Sequence, residues 1–169
     1  MLTQRVECEA FYHYYVVRLG DAGLDPTEVP RQALAEARGA GQGLVAAWSG
    51  GAVLLTGAHT GHMTVVLEAW HPTPPALPPD WDEVVSTTYV SLTGAVTVLH
   101  VWDSRRPGPA QEAEARDVLR LPSGPGQYTM RVHARGRVAA QSIHGSADHI
   151  EARLIQFWPS EQVVPCAPI

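Results

Sequence analysis

The chain has 169 residues, with 17 acidic side chains against 12 basic ones, all of them arginine, and a formal net charge of −5. The absence of lysine excludes a P-loop, a Schiff-base amine and a Ser-x-x-Lys nucleophile, and the acidic balance argues against direct binding of nucleic acid, which takes a clustered basic surface. With 45% hydrophobic and 17% charged residues, the chain is expected to fold as one domain over residues 1–169.

No apolar run approaches the roughly 20 residues of a membrane helix. The N-terminus lacks a basic start followed by an apolar core, so a cytoplasmic protein without a membrane role is expected. Two cysteines, Cys8 and Cys166, are too few for a zinc ribbon or an iron–sulfur site, and in a reducing compartment both are expected free.

In chain order, residues 7–19 are rich in Tyr, Phe and Val and read as one strand that is apolar on both faces. Residues 30–38 open on Pro30 and end before Gly39, the signature of a short helix and the only one expected. Residues 44–48 and 52–56 flank Ser49-Gly50-Gly51 as a hairpin, and residues 57–61 turn the chain into a third strand of a meander over 63–70.

The five prolines of residues 71–80 forbid a strand ladder. They suit either a ligand for a proline-binding module or a stiff crossover between sheets, with Trp70 and Trp81 packed at its ends. Residues 82–92 and 95–102 read as a second hairpin around Thr93-Gly94, and residues 103–115 and 137–150 as loops.

Residues 119–136 carry the sharpest local signal. Pro122-Ser123-Gly124-Pro125-Gly126 breaks a strand, and from Tyr128 the apolar residues Tyr128, Met130, Val132 and Ala134 alternate with Gln127, Thr129, Arg131, His133 and Arg135. A Pro/Gly turn followed by Gly-x-Tyr is the pattern of a tyrosine corner, in which the hydroxyl bonds backbone a few residues upstream. Residues 151–158 close the chain with a strand apolar on both faces. Like the first strand, it calls for cover from the same chain or from a second copy, so a homo-oligomer is one outcome. Eight or nine strands, one short helix and regular turns define an all-β protein, an antiparallel β-sandwich.

Catalytic signals are sparse. Ser49 lies in a hairpin and lacks the Gly-x-Ser-x-Gly elbow of a hydrolase. His59 and His62 flank a turn and, with His71 or His100, are weak candidates for a metal site, since no Cys or carboxylate accompanies them at a diagnostic spacing. No cofactor and no catalytic residue are expected. Asp80, Trp81, Asp82 and Glu83 form an acidic cluster around an aromatic anchor and are the first candidate for a partner-binding surface. The outward stripe Arg131, His133 and Arg135 is the alternative.

The segment 81–85, the aromatic start 14–17 and the corner 121–128 together resemble the competence protein J family of bacteria. The likeness runs over most of the chain as an order of strands, and the longer loops at 103–115 and 137–150 and the proline tract depart from it. It implies a small cytoplasmic β-protein that binds and inhibits a nuclease, and it transfers no contact residue. The expected function is therefore a non-enzymatic binding or inhibitor protein with a protein partner, a nuclease or toxin. The alternatives are a ligand-binding or metal-dependent β-sandwich enzyme using His59 and His62, and a structural module of a larger assembly.

Overall fold

The computed structural model describes residues 1–24, 30–33, 35, 43–76, 80–99 and 117–160. The strands are β1 Leu2–His13, β2 Val16–Asp21, β3 Val45–Trp48, β4 Gly51–Leu55, β5 Thr60–Trp70, β6 Glu83–Ser91, β7 Ala95–Leu99, β8 Val118–Arg120, β9 Gly126–Arg135 and β10 Ala152–Pro159. All ten belong to one sheet in the order β3-β4-β2-β1-β5-β10-β9-β6, with β7 pairing β2 and β8 off that path. The sheet curls until the β3–β4 turn meets β6, where Gly50 N donates to Val90 O at 2.8 Å. The chain is mostly β, as expected, but it forms a nearly closed barrel-like sheet instead of an antiparallel sandwich.

One pairing makes the sheet mixed: β10 runs parallel to β5, from Ala152 opposite Thr64 to Phe157 opposite Ala69. Parallel neighbours need a long connection, and here residues 71–151, almost half of the chain, separate them. Both edges of β10 are therefore covered by the chain itself, β5 on one side and β9 on the other.

The first expected strand is two. β1 and β2 meet in a two-residue hairpin with His13 opposite Val16, and both turn residues, Tyr14 (φ 54°) and Tyr15 (φ 66°), lie in the left-handed region. Such a turn ordinarily takes Asn or Gly. Here the surroundings hold it, because Tyr15 N donates to His59 O at 3.2 Å and Thr56 N donates to Tyr15 O at 2.9 Å.

The β3–β4 hairpin forms as expected, but β5 does not extend it as a meander, since β2 and β1 intervene. β6 and β7 are likewise not a hairpin pair: β6 pairs β9 and β7 pairs β2. Asp21 diverts them by gathering the connecting turn, with Tyr89 Oη donating to Oδ1 at 2.8 Å, Ser91 Oγ donating to Oδ1 at 3.0 Å, and the amides of Leu92 and Thr93 donating to Oδ2. Residues 31–33 are helical, and the end of the helix expected at 30–38 lies outside the described residues. A second helix, Arg137–Gln141, occupies what reads as a loop, while residues 103–115 lie outside the description.

The core fills the inside of the curl. Tyr12, Leu19, Leu54, Met63, Leu67, Met130, Ile155 and Phe157 are fully buried there, each worth about 1.5–3 kcal/mol on leaving water. Cys8 is a free thiol at its margin, and burial pushes its pKa up to about 12. Cys166 lies outside the described residues.

The tyrosine corner is present. Tyr128 is 1% exposed; its hydroxyl donates to Gly124 O at 2.6 Å and accepts from Ser123 N at 3.2 Å. β8 and β9 flank this corner without pairing to each other. Tyr128→Phe is expected to lower stability by about 1–2 kcal/mol, the cost of stranding both backbone groups. A urea midpoint unchanged by that substitution would mean water replaces the hydroxyl.

Candidate functional site

The proline tract forms the site's roof. β5 ends at Trp70 and β6 begins at Glu83, with β10 and β9 between them in the sheet, and the described residues of the connection, 71–76 and 80–82, lie over the outer face. Pro74 is buried, Pro75 O accepts from Arg131 Nη2 at 2.9 Å, and the Trp81 ring lies 5.7 Å from that of His133. The described ends of the tract lie against one face of a single sheet, whereas the crossover reading expected it to join two sheets.

Beneath it a polar row runs from β1 to β9. Arg5 Nη1 donates to Glu68 Oε1 at 2.9 Å, and Trp70 Nε1 and Gln156 Nε2 each donate to Glu68 Oε2 at 2.8 Å. Arg131 donates to Gln156 Oε1 through Nε at 3.0 Å and Nη2 at 2.7 Å. Arg131 also lies over the Trp158 ring at 5.3 Å. Two of the three stripe residues expected to be wet are therefore built into the fold: His133 is 3% exposed and Arg131 holds β9 to β10 and to Pro75 of the tract, while Arg135 is exposed. Arg131→Ala would cost more than a wet-face substitution, because it frees three hydrogen bonds.

The acidic cluster and the basic stripe, which read as competing surfaces, are one patch. Arg135 lies over the Trp81 ring at 5.5 Å. Asp82 Oδ2 accepts from Gly136 N at 2.7 Å, and Glu83 Oε2 accepts from Arg137 Nη1 at 2.7 Å. The Glu83 carboxylate is thus paired within the chain, while Asp80 and Asp82 are exposed and Trp81 half-buried.

His133 carries a pH signature. Glu68 can only accept, so the Gln156 amide nitrogen faces it and the Gln156 oxygen faces His133, whose Nε2, 3.2 Å away, is the donor. Its Nδ1 is buried without a partner. Burial lowers the His133 pKa from 6.5, and the bond to Gln156 opposes that only in part. The unfolded chain then takes up the proton first. Stability from this group is complete above the unfolded value and is lost as the pH falls from about 6.5 toward the lower folded value. His133→Gln, which keeps a donor for Gln156, should flatten the pH dependence of the unfolding midpoint between about pH 5 and 7. An unchanged slope would mean that His133 takes no part in it.

The turn histidines separate. His59 packs among His13, Tyr14 and Tyr15, with ring centroids 4.8–5.1 Å apart. His62 Nδ1 instead lies 3.0 Å from Asp148 Oδ1. Hydrogen bonds, first from the His62 ring and then from Ser146, hold the Asp148 carboxyl below its usual range. His71 sits beyond the far end of β5, and His100 lies outside the described residues. Among the described residues no three His, Cys, Asp or Glu side chains gather as metal ligands.

Two features escaped sequence reasoning. An open cleft of about 510 Å³ is lined by Tyr15, Leu55, Thr56, Gly57 and Gln141. Close by, Arg153 Nη2 meets Glu151 Oε2 at 2.6 Å with both side chains fully buried. Charged residues two apart in an apolar strand share a face, and in Glu151-Ala152-Arg153 that spacing is the signal for a buried pair.

The class these features define is a small, mostly β protein with a barrel-like sheet and an aromatic, mixed-charge outer patch. No family model and no curated protein matches the chain. Two solved structures match its fold over almost the whole length. The protein titled "Crocagin biosynthetic gene J" has a TM-score of 0.54 and 14% identity, covering 93% of this chain and 97% of that one. ComJ of Bacillus subtilis, titled an inhibitor of the DNA degrading activity of NucA, has a TM-score of 0.54 and 10% identity, covering 95% and 98%. The loose resemblance to competence protein J is thus present in the fold.

Proposed function

We propose that this chain is a non-enzymatic protein-binding module that inhibits a nuclease. The observation that carries this reading is the shared fold with ComJ, which spans both chains nearly end to end. The net charge of −5 supports it, because a surface that holds nucleic-acid phosphates is basic and steers an acidic protein toward itself. The contact surface in this reading is the patch around Trp81, with exposed Asp80 supplying the free charge and the indole the anchor.

The test is stoichiometric inhibition. The purified chain, titrated into a nuclease encoded beside its gene, is expected to abolish DNA cleavage near equimolar ratio and to co-elute with the enzyme. Trp81→Ala with Asp80→Arg should weaken that inhibition at least tenfold and reduce its salt dependence. Undiminished cleavage at excess inhibitor, together with turnover of a small substrate by this chain, would sink the proposal. The cleft beside Tyr15 favours a second reading as a ligand-binding protein, for which native mass spectrometry of the purified chain should show a bound small molecule.

A further inference from the structure

The β1–β2 turn carries side chains that the turn itself does not need. Both of its residues lie in the left-handed region, which Asn and Gly enter readily and a tyrosine enters at a cost. Tyr14 is nevertheless 64% exposed and Tyr15 46%, so neither ring offsets that cost by filling the core. The bonds that hold the turn, from Tyr15 N to His59 O and from Thr56 N to Tyr15 O, use main-chain atoms and would survive with Asn and Gly in place. What the two tyrosines add is outward aromatic surface.

They head a continuous run of rings. Tyr14 packs on His13 at 4.1 Å and on His59 at 5.0 Å, Phe11 lies 6.4 Å from His13 and 5.0 Å from His62, and His149 lies 6.4 Å from His62. His149 (φ 58°) is the third left-handed residue with a side chain, and among the described residues there is no fourth. Backbone strain of this kind gathers where a surface is shaped for something other than stability. The charges beside the rings are negative. Glu9 stands two residues before Phe11 on the same face of β1, and Asp148 bonds His62. Both carboxylates are exposed, and among the described residues neither meets an arginine at ion-pair distance. Tyrosine faces are electron-rich and attract cations, and a guanidinium, planar and weakly hydrated, stacks on them better than an ammonium does. The same carboxylates and the net charge of −5 repel nucleic-acid phosphates, so the cation that fits belongs to a protein.

We propose that the Tyr14–Tyr15 turn is a docking surface for an arginine-bearing segment of a second protein, whose guanidinium groups stack on the tyrosine rings while the segment runs along the ring row toward Asp148 and Glu9. The Trp81 ring lies against His133 of β9, and β10 and β5 separate β9 from β1 in the sheet. The turn is therefore a surface of its own, and its role does not depend on the nuclease reading.

Titration of the purified chain with an octa-arginine peptide at low salt, followed by NMR, tests it. Saturable binding is expected, with shifts at Tyr14, Tyr15 and His59 and none at Trp81, and with an affinity at least about threefold above that for octa-lysine. The decisive variant is Tyr14→Asn with Tyr15→Gly, whose backbone preferences suit the turn. It should lose at least about tenfold in affinity while its urea midpoint stays at or above that of the wild-type chain. Tyr14→Leu keeps apolar area and removes the ring, so it isolates stacking and should lose at least about threefold. A lower midpoint for the Asn-Gly variant would show that the rings serve the fold and would overturn the proposal. Peptide binding that both variants leave unchanged, or shifts confined to the neighbourhood of Trp81, would overturn it as well.

Discussion

Arg153→Met is expected to destabilise the protein by about 3–5 kcal/mol, the usual cost of leaving one member of a buried ion pair without the other. Arg153 stands on the inner face of β10, where its Nη2 donates to Glu151 Oε2 at 2.6 Å and to Leu55 O at 3.0 Å, and its Nη1 donates to Ala152 O at 3.0 Å. Glu151 in turn accepts from Gly57 N at 2.8 Å and Ala58 N at 3.3 Å. The pair therefore ties the β4–β5 turn to the start of β10, closing one end of the barrel. Burial lowers the Arg153 pKa and the Glu151 carboxylate opposes it. Methionine fills the space but leaves the Glu151 charge buried and Leu55 O without its donor. In the double variant Glu151→Gln, Arg153→Met, the charge is gone and the glutamine oxygen still accepts from Gly57 N, so about 1–3 kcal/mol should return. Urea unfolding of the two variants decides the matter. A loss below about 1 kcal/mol for Arg153→Met would mean that water reaches Glu151. The same region is tightly packed, since a Cβ on Gly57 would sit 1.9 Å from Arg137 O.

The opposite end of the barrel depends on Asp21. Asp21→Ala removes the acceptor for two hydroxyls and two amides at once and should cost about 3–5 kcal/mol, because several donors then lie buried and unpaired. Asp21 is 2% exposed, and Tyr89, one of its donors, is fully buried. Burial, reinforced by the bond to Asp21, pushes the Tyr89 pKa above the ordinary phenol range. Asp21→Asn is the sharper probe: one amide oxygen can still accept, but its NH₂ would face peptide N–H groups, so a cost between wild type and alanine is expected. Beyond the unfolding midpoint, the alanine variant should speed hydrogen exchange at Leu92 and Thr93, the amides that Asp21 holds. Protection unchanged there would show that the β6–β7 turn does not need the carboxylate.

These two carboxylates also explain how far the fold could be read in advance. Local features with complete chemical signatures were legible: the tyrosine corner from its Pro/Gly turn and Tyr128, the β3–β4 hairpin from Ser49-Gly50-Gly51, and the alternation of β9 from Tyr128 to Ala134. Each depends on contacts within a few residues of chain. The β1–β2 turn was not legible, because Tyr14 and Tyr15 carry no turn chemistry and their left-handed backbone is enforced by His59 and Thr56 from another part of the chain. The hairpin expected of β6 and β7 was likewise redirected by Asp21, some 70 residues away in sequence.

For the candidate site, Trp81 and its carboxylates were identifiable by residue type, and Arg131, His133 and Arg135 by alternation. Alternation separates the faces of a strand but cannot say what covers each face. Pro75 and Trp81, placed over the outer face, decided that His133 is buried and Arg131 bonded. They also brought the acidic and basic candidates together. The parallel pairing of β5 with β10, which turned an expected sandwich into a curled mixed sheet, is likewise a product of tertiary structure. Apolar faces specify burial, and only the packing of the whole chain selects the neighbour and its direction.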